Sequence, residues 1–217
     1  MIYWFMRALF TVFFRVAGSW EVRGGENVPK RGAVLIAPNH LSFLDPPLVG
    51  CALRRPGWFM AKAELFEIPG LRWLIRGMHA YPVKRGVPDR AALKRTLRHL
   101  KEGEIVCVFP EGRRSVNGEL GPVEIGIGML AVKSGAPVVP VGIRGTDRML
   151  PRDSKRVHRA RIRVRFGPPL HLPPPVDGMA ERDAYQAAAD RVRAGIAAVL
   201  AEMDAVAPVE PHPGARR

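Results

Sequence analysis

The stretch AVLIAPNHLSFLDPP, residues 33–47, decides the fold. Its first half, Ala33–Ala37, is apolar without interruption. A short run that does not alternate with polar residues reads as a strand buried on both faces, as in a parallel sheet. The chain then turns polar at Asn39-His40, and Asp45-Pro46-Pro47 reads as a helix start, because proline is tolerated in a first turn. Strand, loop and helix follow one another within 15 residues.

The same succession extends in both directions. SWEVRGG (19–25) reads as a strand closed by a Gly-Gly turn, and WFMAK (58–62) as another strand. ELFEIPGLRWLIRG (64–77) reads as a helix interrupted at Pro69-Gly70, and HAYPV (79–83) as a further strand. PDRAALKRTLRHLKEG (88–103) is a helix with Leu93, Leu97 and Leu100 on one face and Gly103 as its stop. EIVCVFP (104–110) is a buried strand, GIGMLAVKSG (126–135) a short helix and PVVPVGI (137–143) a strand. RARIRVRF (159–166) alternates with period two, which places Arg159, Arg161, Arg163 and Arg165 on one face, as a solvated edge or an anionic-lipid contact. In the final helix, from Glu181, Tyr185, Ala188, Val192, Ile196, Val199 and Met203 form one stripe. Strands alternating with helices predict an α/β domain, a mixed and largely parallel sheet flanked by helices. The domain spans residues 19–204, with a disordered basic tail over 205–217.

GIGMLA (126–131) formally fits a dinucleotide fingerprint, but no convincing buried strand precedes it, so it reads as the start of a packed helix. Cys51 and Cys107 show neither C-x-x-C nor metal-ligand spacing and indicate a reduced chain. The net charge of +14 calls for a partner of opposite sign: nucleic acid, an anionic membrane or a phosphorylated substrate. Basic residues are not interleaved with a platform of stacking aromatics, and no helix-turn-helix or finger pattern is present, which argues against nucleic acid.

Residues 1–18, MIYWFMRALFTVFFRVAG, are apolar and aromatic but carry Arg7 and Arg15. A spanning helix needs about 20 mostly apolar residues, and a central arginine costs roughly 2.5–3.5 kcal/mol. On a helix Arg7, Thr11, Arg15 and Gly18 form a narrow polar stripe. The expectation is an amphipathic helix lying in the interface of an anionic phospholipid membrane; a core-packing helix is the other reading. No basic segment precedes the apolar stretch, so a signal peptide is not expected.

Three loops are expected at the carboxyl ends of strands, where α/β sheets place ligands. NHLSFLD (39–45), YPVKRG (81–86) and FPEGRRS (109–115) bring His40, Asp45, Arg85, Glu111, Arg113 and Arg114. Spacing alone does not mark a site: His99 and Glu104 repeat the five-residue separation, yet they straddle a helix end and read as solvated side chains. His40 differs in following a buried strand. A short loop there folds Asp45 onto one imidazole nitrogen and leaves the other to accept a proton. There is no G-x-S-x-G elbow, and neither cysteine has an obvious base partner, while Ser42 reads as a cap or turn residue. The base therefore acts on a substrate hydroxyl, and the loop arginines suit a phosphate. The expected reaction is transfer to the hydroxyl of a phosphorylated alcohol.

These blocks resemble a known family. NHLSFLD matches the Asn-His-x-x-x-x-Asp motif of the PlsC-like lysophosphatidic acid acyltransferases, and FPEGRRS resembles their Phe-Pro-Glu-Gly-Thr-Arg-Ser motif. YPVKRG resembles their Pro-Val-x-Arg block and APVVPVGIRGT (136–146) their fourth, in family order, and the likeness runs from about Trp20 to Pro169. The resemblance implies a glycerolipid acyltransferase fold. It implies that His40, oriented by Asp45, deprotonates the free sn-2 hydroxyl of lysophosphatidic acid, which attacks the thioester of acyl-CoA or acyl carrier protein without an acyl-enzyme. It further implies that Arg85, Glu111, Gly112 and Arg114 line the acceptor site, with Lys62 near the phosphate, and that no metal or bound cofactor takes part. The expected place is the cytoplasmic face of the cell membrane. Arg113, His79 and Glu124 depart from the family pattern and leave open another lyso-lipid, such as an ornithine lipid precursor. A basic binding module without catalysis is the remaining alternative.

Overall fold

The computed structural model describes residues 2–84, 86, 89–154, 156–175 and 178–206. Helix α1 (Ile2–Val16) leads into β1 (Gly18–Arg23), and the apolar run forms β2 (Val34–Pro38), followed by α2 (Asp45–Ala52). Then come β3 (Gly57–Lys62), α3 (Leu71–Gly77), β4 (Ala80–Val83), α4 (Arg90–Lys101), β5 (Ile105–Cys107) and α5 (Ile125–Ser134). The chain continues through β6 (Val138–Arg144), α6 (Thr146–Met149), β7 (Ala160–Phe166) and α7 (Glu181–Val206).

The strands form one sheet in the order β1-β7-β6-β2-β5-β3-β4, parallel at every junction except the antiparallel pair β6–β7. Strand β2 lies at its centre, buried along its whole length. Alternation splits it between two cores: Val34 and Ile36 pack with Phe14 of α1 and Leu48 and Val49 of α2. Leu35 and Ala37 pack with Leu130 of α5 and Val192 and Ile196 of α7. The predicted stripe of α7 is buried throughout, and at Gly128 a Cβ would lie 1.9 Å from the carbonyl of Tyr185. GIGMLA is thus the seam where α5 meets α7, and the glycine is needed for close backbone approach.

Several expectations are corrected. Tyr81–Val83 belong to β4, so its loop begins only at Lys84. Helix α7 runs on to Val206 and takes Ala205 and Val206 from the predicted tail; the rest of that segment, 207–217, lies outside the described residues. Strand β7 is interior, between β1 and β6, so its arginines do not lie on a sheet edge. Arg161 pairs with Glu21 at 3.2 Å and Arg165 with Glu202 at 2.6 Å, while Arg163 donates to the Met203 carbonyl at 2.8 Å.

The largest revision concerns α1. Its polar stripe turns partly inward: Arg7 donates to the Cys51 carbonyl of α2, and Thr11 is half-buried. Tyr3, Met6 and Phe14 pack into the domain. The face left exposed is mostly apolar, with Trp4, Phe5, Leu9, Val12 and Val16, and carries the exposed Arg15 among them. The helix is therefore a core element whose outer face, mostly apolar, stays exposed among the described residues. No helix among the described residues is long and apolar enough to cross a membrane.

Candidate active site

Parallel strands β2, β3, β4 and β5 end at one edge of the sheet, and the predicted loops gather there. After Pro38, β2 leaves the ladder, but Asn39 keeps it attached to β6. Its side-chain oxygen accepts from the Ile143 N–H at 2.7 Å and its amide donates to the Ile143 carbonyl at 3.2 Å. Asn39 is fully buried. Its place directly before His40 is the signal the sequence carries for this anchor.

The next residues wrap around the Asp45 carboxylate. Asp45 Oδ2 lies 2.8 Å from His40 Nδ1 and accepts the N–H groups of Leu41 at 2.6 Å and Ser42 at 2.7 Å. Asp45 is also the first residue of α2, where the helix dipole favours an anion. The carboxylate is fully buried, and His40 is nearly so. Among the described residues no hydrogen bond engages His40 Nε2. The ring lies against Phe109, with centroids 4.2 Å apart. A buried anion on Nδ1 fixes the tautomer whose Nε2 is basic. Ser42 donates to the Leu150 carbonyl at 3.0 Å and ties the loop to the segment after α6.

Glu111, expected to line the acceptor site, has its carboxylate turned onto the backbone. Oε1 accepts from the His40 N–H at 2.8 Å and Oε2 from the Gly121 N–H at 3.0 Å. Burial pushes its pKa up, opposed by those two N–H groups. The Ser115 N–H in turn donates to the His40 carbonyl at 2.7 Å. The base is thus held by backbone contacts from both sides of the FPEGRRS loop. Gly112 allows the turn between them at φ 64°, and a Cβ there would meet Glu124 Cγ at 3.4 Å.

Arg114 is half-buried, its guanidinium carbon 3.7 Å from the centroid of the Phe43 ring. Arg113 is exposed. Lys62 ends β3 at the same sheet edge and pairs with Glu64 at 3.1 Å. Arg85 lies outside the described residues. Of the three departures, Arg113 and Glu124 lie in or beside the FPEGRRS loop. His79 does not: it precedes β4 at the opposite edge, stacked between Tyr3 and Trp58 with centroids 4.7 Å from each.

The sequence profile described as "Acyltransferase" matches residues 19–144. A chloroplastic 1-acyl-sn-glycerol-3-phosphate acyltransferase of Brassica napus, BAT2, is 34% identical over 155 residues, 70% of this chain. The chain spans only 45% of that protein's length. The 1-acyl-sn-glycerol-3-phosphate acyltransferase of Bacillus subtilis is 31% identical over 172 residues, 78% of this chain and 83% of that protein. The crystal structure of the acyltransferase PlsC from Thermotoga maritima superposes with a TM-score of 0.72 at 30% identity, covering 89% of this chain and 78% of that one. Both the matched span and the coverage of the Bacillus relative lead to one assignment: the chain belongs to the acyltransferase family.

Proposed function

We propose that the protein transfers a fatty acyl group from acyl-CoA or acyl carrier protein to the free sn-2 hydroxyl of lysophosphatidic acid, giving phosphatidic acid. The observation that carries this reading is the buried 2.8 Å pair of His40 Nδ1 and Asp45 at the carboxyl edge of the sheet. His40 Nε2 takes the hydroxyl proton as the oxygen attacks the thioester carbonyl. The tetrahedral adduct expels the thiolate as the C–S bond breaks, and the imidazolium returns the proton to the sulfur. Asp45 stabilises that imidazolium without taking its proton. Gly112, Arg114 and Lys62 serve the acceptor phosphate, a role the family resemblance also gives to Arg85, while Glu111 holds the His40 backbone. The names of the Bacillus and Brassica relatives support the acceptor.

The reaction takes place on an anionic membrane, at its cytoplasmic face, with the exposed apolar side of α1 against the bilayer. Phe5→Ser with Leu9→Ser, both exposed, weakens vesicle partition at least about tenfold while the melting temperature holds. Unchanged partition removes α1 as the docking face.

The reaction is tested by labelled acyl transfer from both donors to a panel of lyso-lipids, comparing the chain with His40→Ala. Transfer to lysophosphatidic acid that disappears in the variant supports the proposal. Transfer to another lyso-lipid alone moves the acceptor to the second reading, which Glu124 beside Gly112 favours, since a carboxylate there opposes a phosphate. No His40-dependent transfer to any acceptor overturns it.

A further inference from the structure

We infer that Phe43 is a positioning residue: its ring is the platform that holds the Arg114 guanidinium for the acceptor phosphate and couples that cation to the loop of the base.

Six of the seven residues in NHLSFLD are buried, among them Leu41 and Leu44. Phe43 alone points outward, 60% exposed. Burial does not account for an aromatic side chain there. What the ring touches does: the guanidinium carbon of Arg114 sits 3.7 Å from its centroid, within the range of a cation–π contact. A guanidinium stacked by its flat face meets a phosphate in its own plane, through its N–H groups.

The main chain around Arg114 is anchored as well. The neighbouring Ser115 N–H donates to the His40 carbonyl at 2.7 Å, and the Arg114 carbonyl accepts from Arg152 at 3.2 Å. The backbone beside Arg114 is therefore tied to the base itself, and its side chain is tied to a residue three positions on in the same loop. The two halves of the reaction, proton removal and charge recognition, share one seven-residue frame. An arginine already stacked loses less rotamer freedom when it meets an anion than one that roams in solvent.

The kinetic test rests on the acyl-transfer reading above, and compares lysophosphatidic acid with an uncharged monoacylglycerol as acceptor. Phe43→Leu raises KM for the phosphate acceptor about three- to tenfold relative to the uncharged one, with kcat little changed. Phe43→Tyr and Phe43→Trp restore the ratio, and in an Arg114→Met background Phe43→Leu has no further effect on it. An equal rise in KM for both acceptors makes Phe43 a contact to the lipid or bilayer and overturns the inference. An equal fall in kcat, or an undiminished effect without Arg114, overturns it too. A chain that transfers nothing at all sinks the proposed function instead, and the stack is then read without turnover. In that case the arginine side-chain NMR signals of Arg114 show an aromatic ring-current shift that Phe43→Leu removes. A spectrum indifferent to Phe43 overturns the inference.

Discussion

The protein contains two histidine–carboxylate pairs with the same five-residue spacing and nearly the same length: His40–Asp45 at 2.8 Å and His99–Glu104 at 2.6 Å. The second was expected to be a solvated couple; the structure joins it. The two are built at opposite helix ends. Asp45 starts α2, and its carboxylate gathers loop N–H groups together with the imidazole. Glu104 lies just past α4, where Gly103 at φ 77° reverses the chain and the Glu104 N–H donates back to the His99 carbonyl at 3.0 Å. That helix-terminating turn returns residue 104 to residue 99 whatever its side chain does. The surroundings differ as well. The Glu104 side chain is 37% exposed, whereas that of Asp45 is sealed. The charge of Arg55 reaches Glu104 from beside it, and the His99 ring is stacked on Trp58 at 4.0 Å. One pair faces the carboxyl edge, where α/β sheets place ligands; the other lies under the amino edge as part of a ring column. A histidine with a carboxylate is thus not a site in itself. Sheet edge and burial of the anion separate the two.

The widest gap between the pairs is expected in turnover. His40→Ala lowers kcat about 10²- to 10⁴-fold, and His99→Ala leaves it within about twofold in the same acyl-transfer assay, because it touches no reacting atom. A His99 variant that is as inactive as the His40 variant, while still folded, dissolves the distinction. Stability divides the pairs next. Asp45→Ala strands two buried N–H groups, those of Leu41 and Ser42, each costing about 1–3 kcal/mol. Glu104→Ala loses a partly exposed contact worth under about 1 kcal/mol. Denaturant titration that finds equal losses shows that burial is not the deciding difference.

Much of this frame was legible in the chain. Ala33–Ala37 reads as a strand buried on both faces because nothing polar interrupts it, and the α7 stripe follows from its period. The partnership of His40 with Asp45 followed from a short loop between a strand and a Pro-Pro helix start. The pairing of His99 with Glu104 is only half legible: Gly103 marks a helix stop, but the return that joins the side chains depends on its left-handed φ of 77°. The interior place of β7 was hidden for another reason. Strand order depends on non-local register, and the antiparallel return from β6 to β7 is not written in either strand's own pattern. The resemblance places Glu111 at the acceptor, but no pattern in the sequence shows that its carboxylate also accepts the N–H groups of His40 and Gly121.

The ring column supplies a pH test of the amino edge. Burial holds the His79 imidazole below its ordinary value of 6.5, with His99 acting in the same direction and Glu104 against it. A depressed histidine contributes stability that is complete above the unfolded value and is lost as pH falls through the lowered folded value. Melting temperatures measured downward from pH 7 should therefore decline below about 6.5, and His79→Asn should flatten the decline. Asparagine tolerates the φ of 60° that His79 adopts, so the variant isolates the charge from backbone strain. An unchanged slope in the variant assigns the acid sensitivity elsewhere.

The smallest effect expected is at the carboxyl edge, at Glu124. Its carboxylate oxygen would lie 3.7 Å from a Cβ on Gly112, and the side chain is exposed, so water screens much of its charge. Glu124→Lys replaces a repulsive charge with an attractive one beside the acceptor loop and lowers KM for lysophosphatidic acid about two- to fivefold. Because the charge acts on binding and not on the hydroxyl proton, kcat should hold and the gain should shrink at high salt. An amine-bearing lyso-lipid should lose by a similar factor. If both acceptors respond alike, Glu124 shapes the loop and does not read the head group, and selectivity at this edge falls to Arg114 on its Phe43 platform.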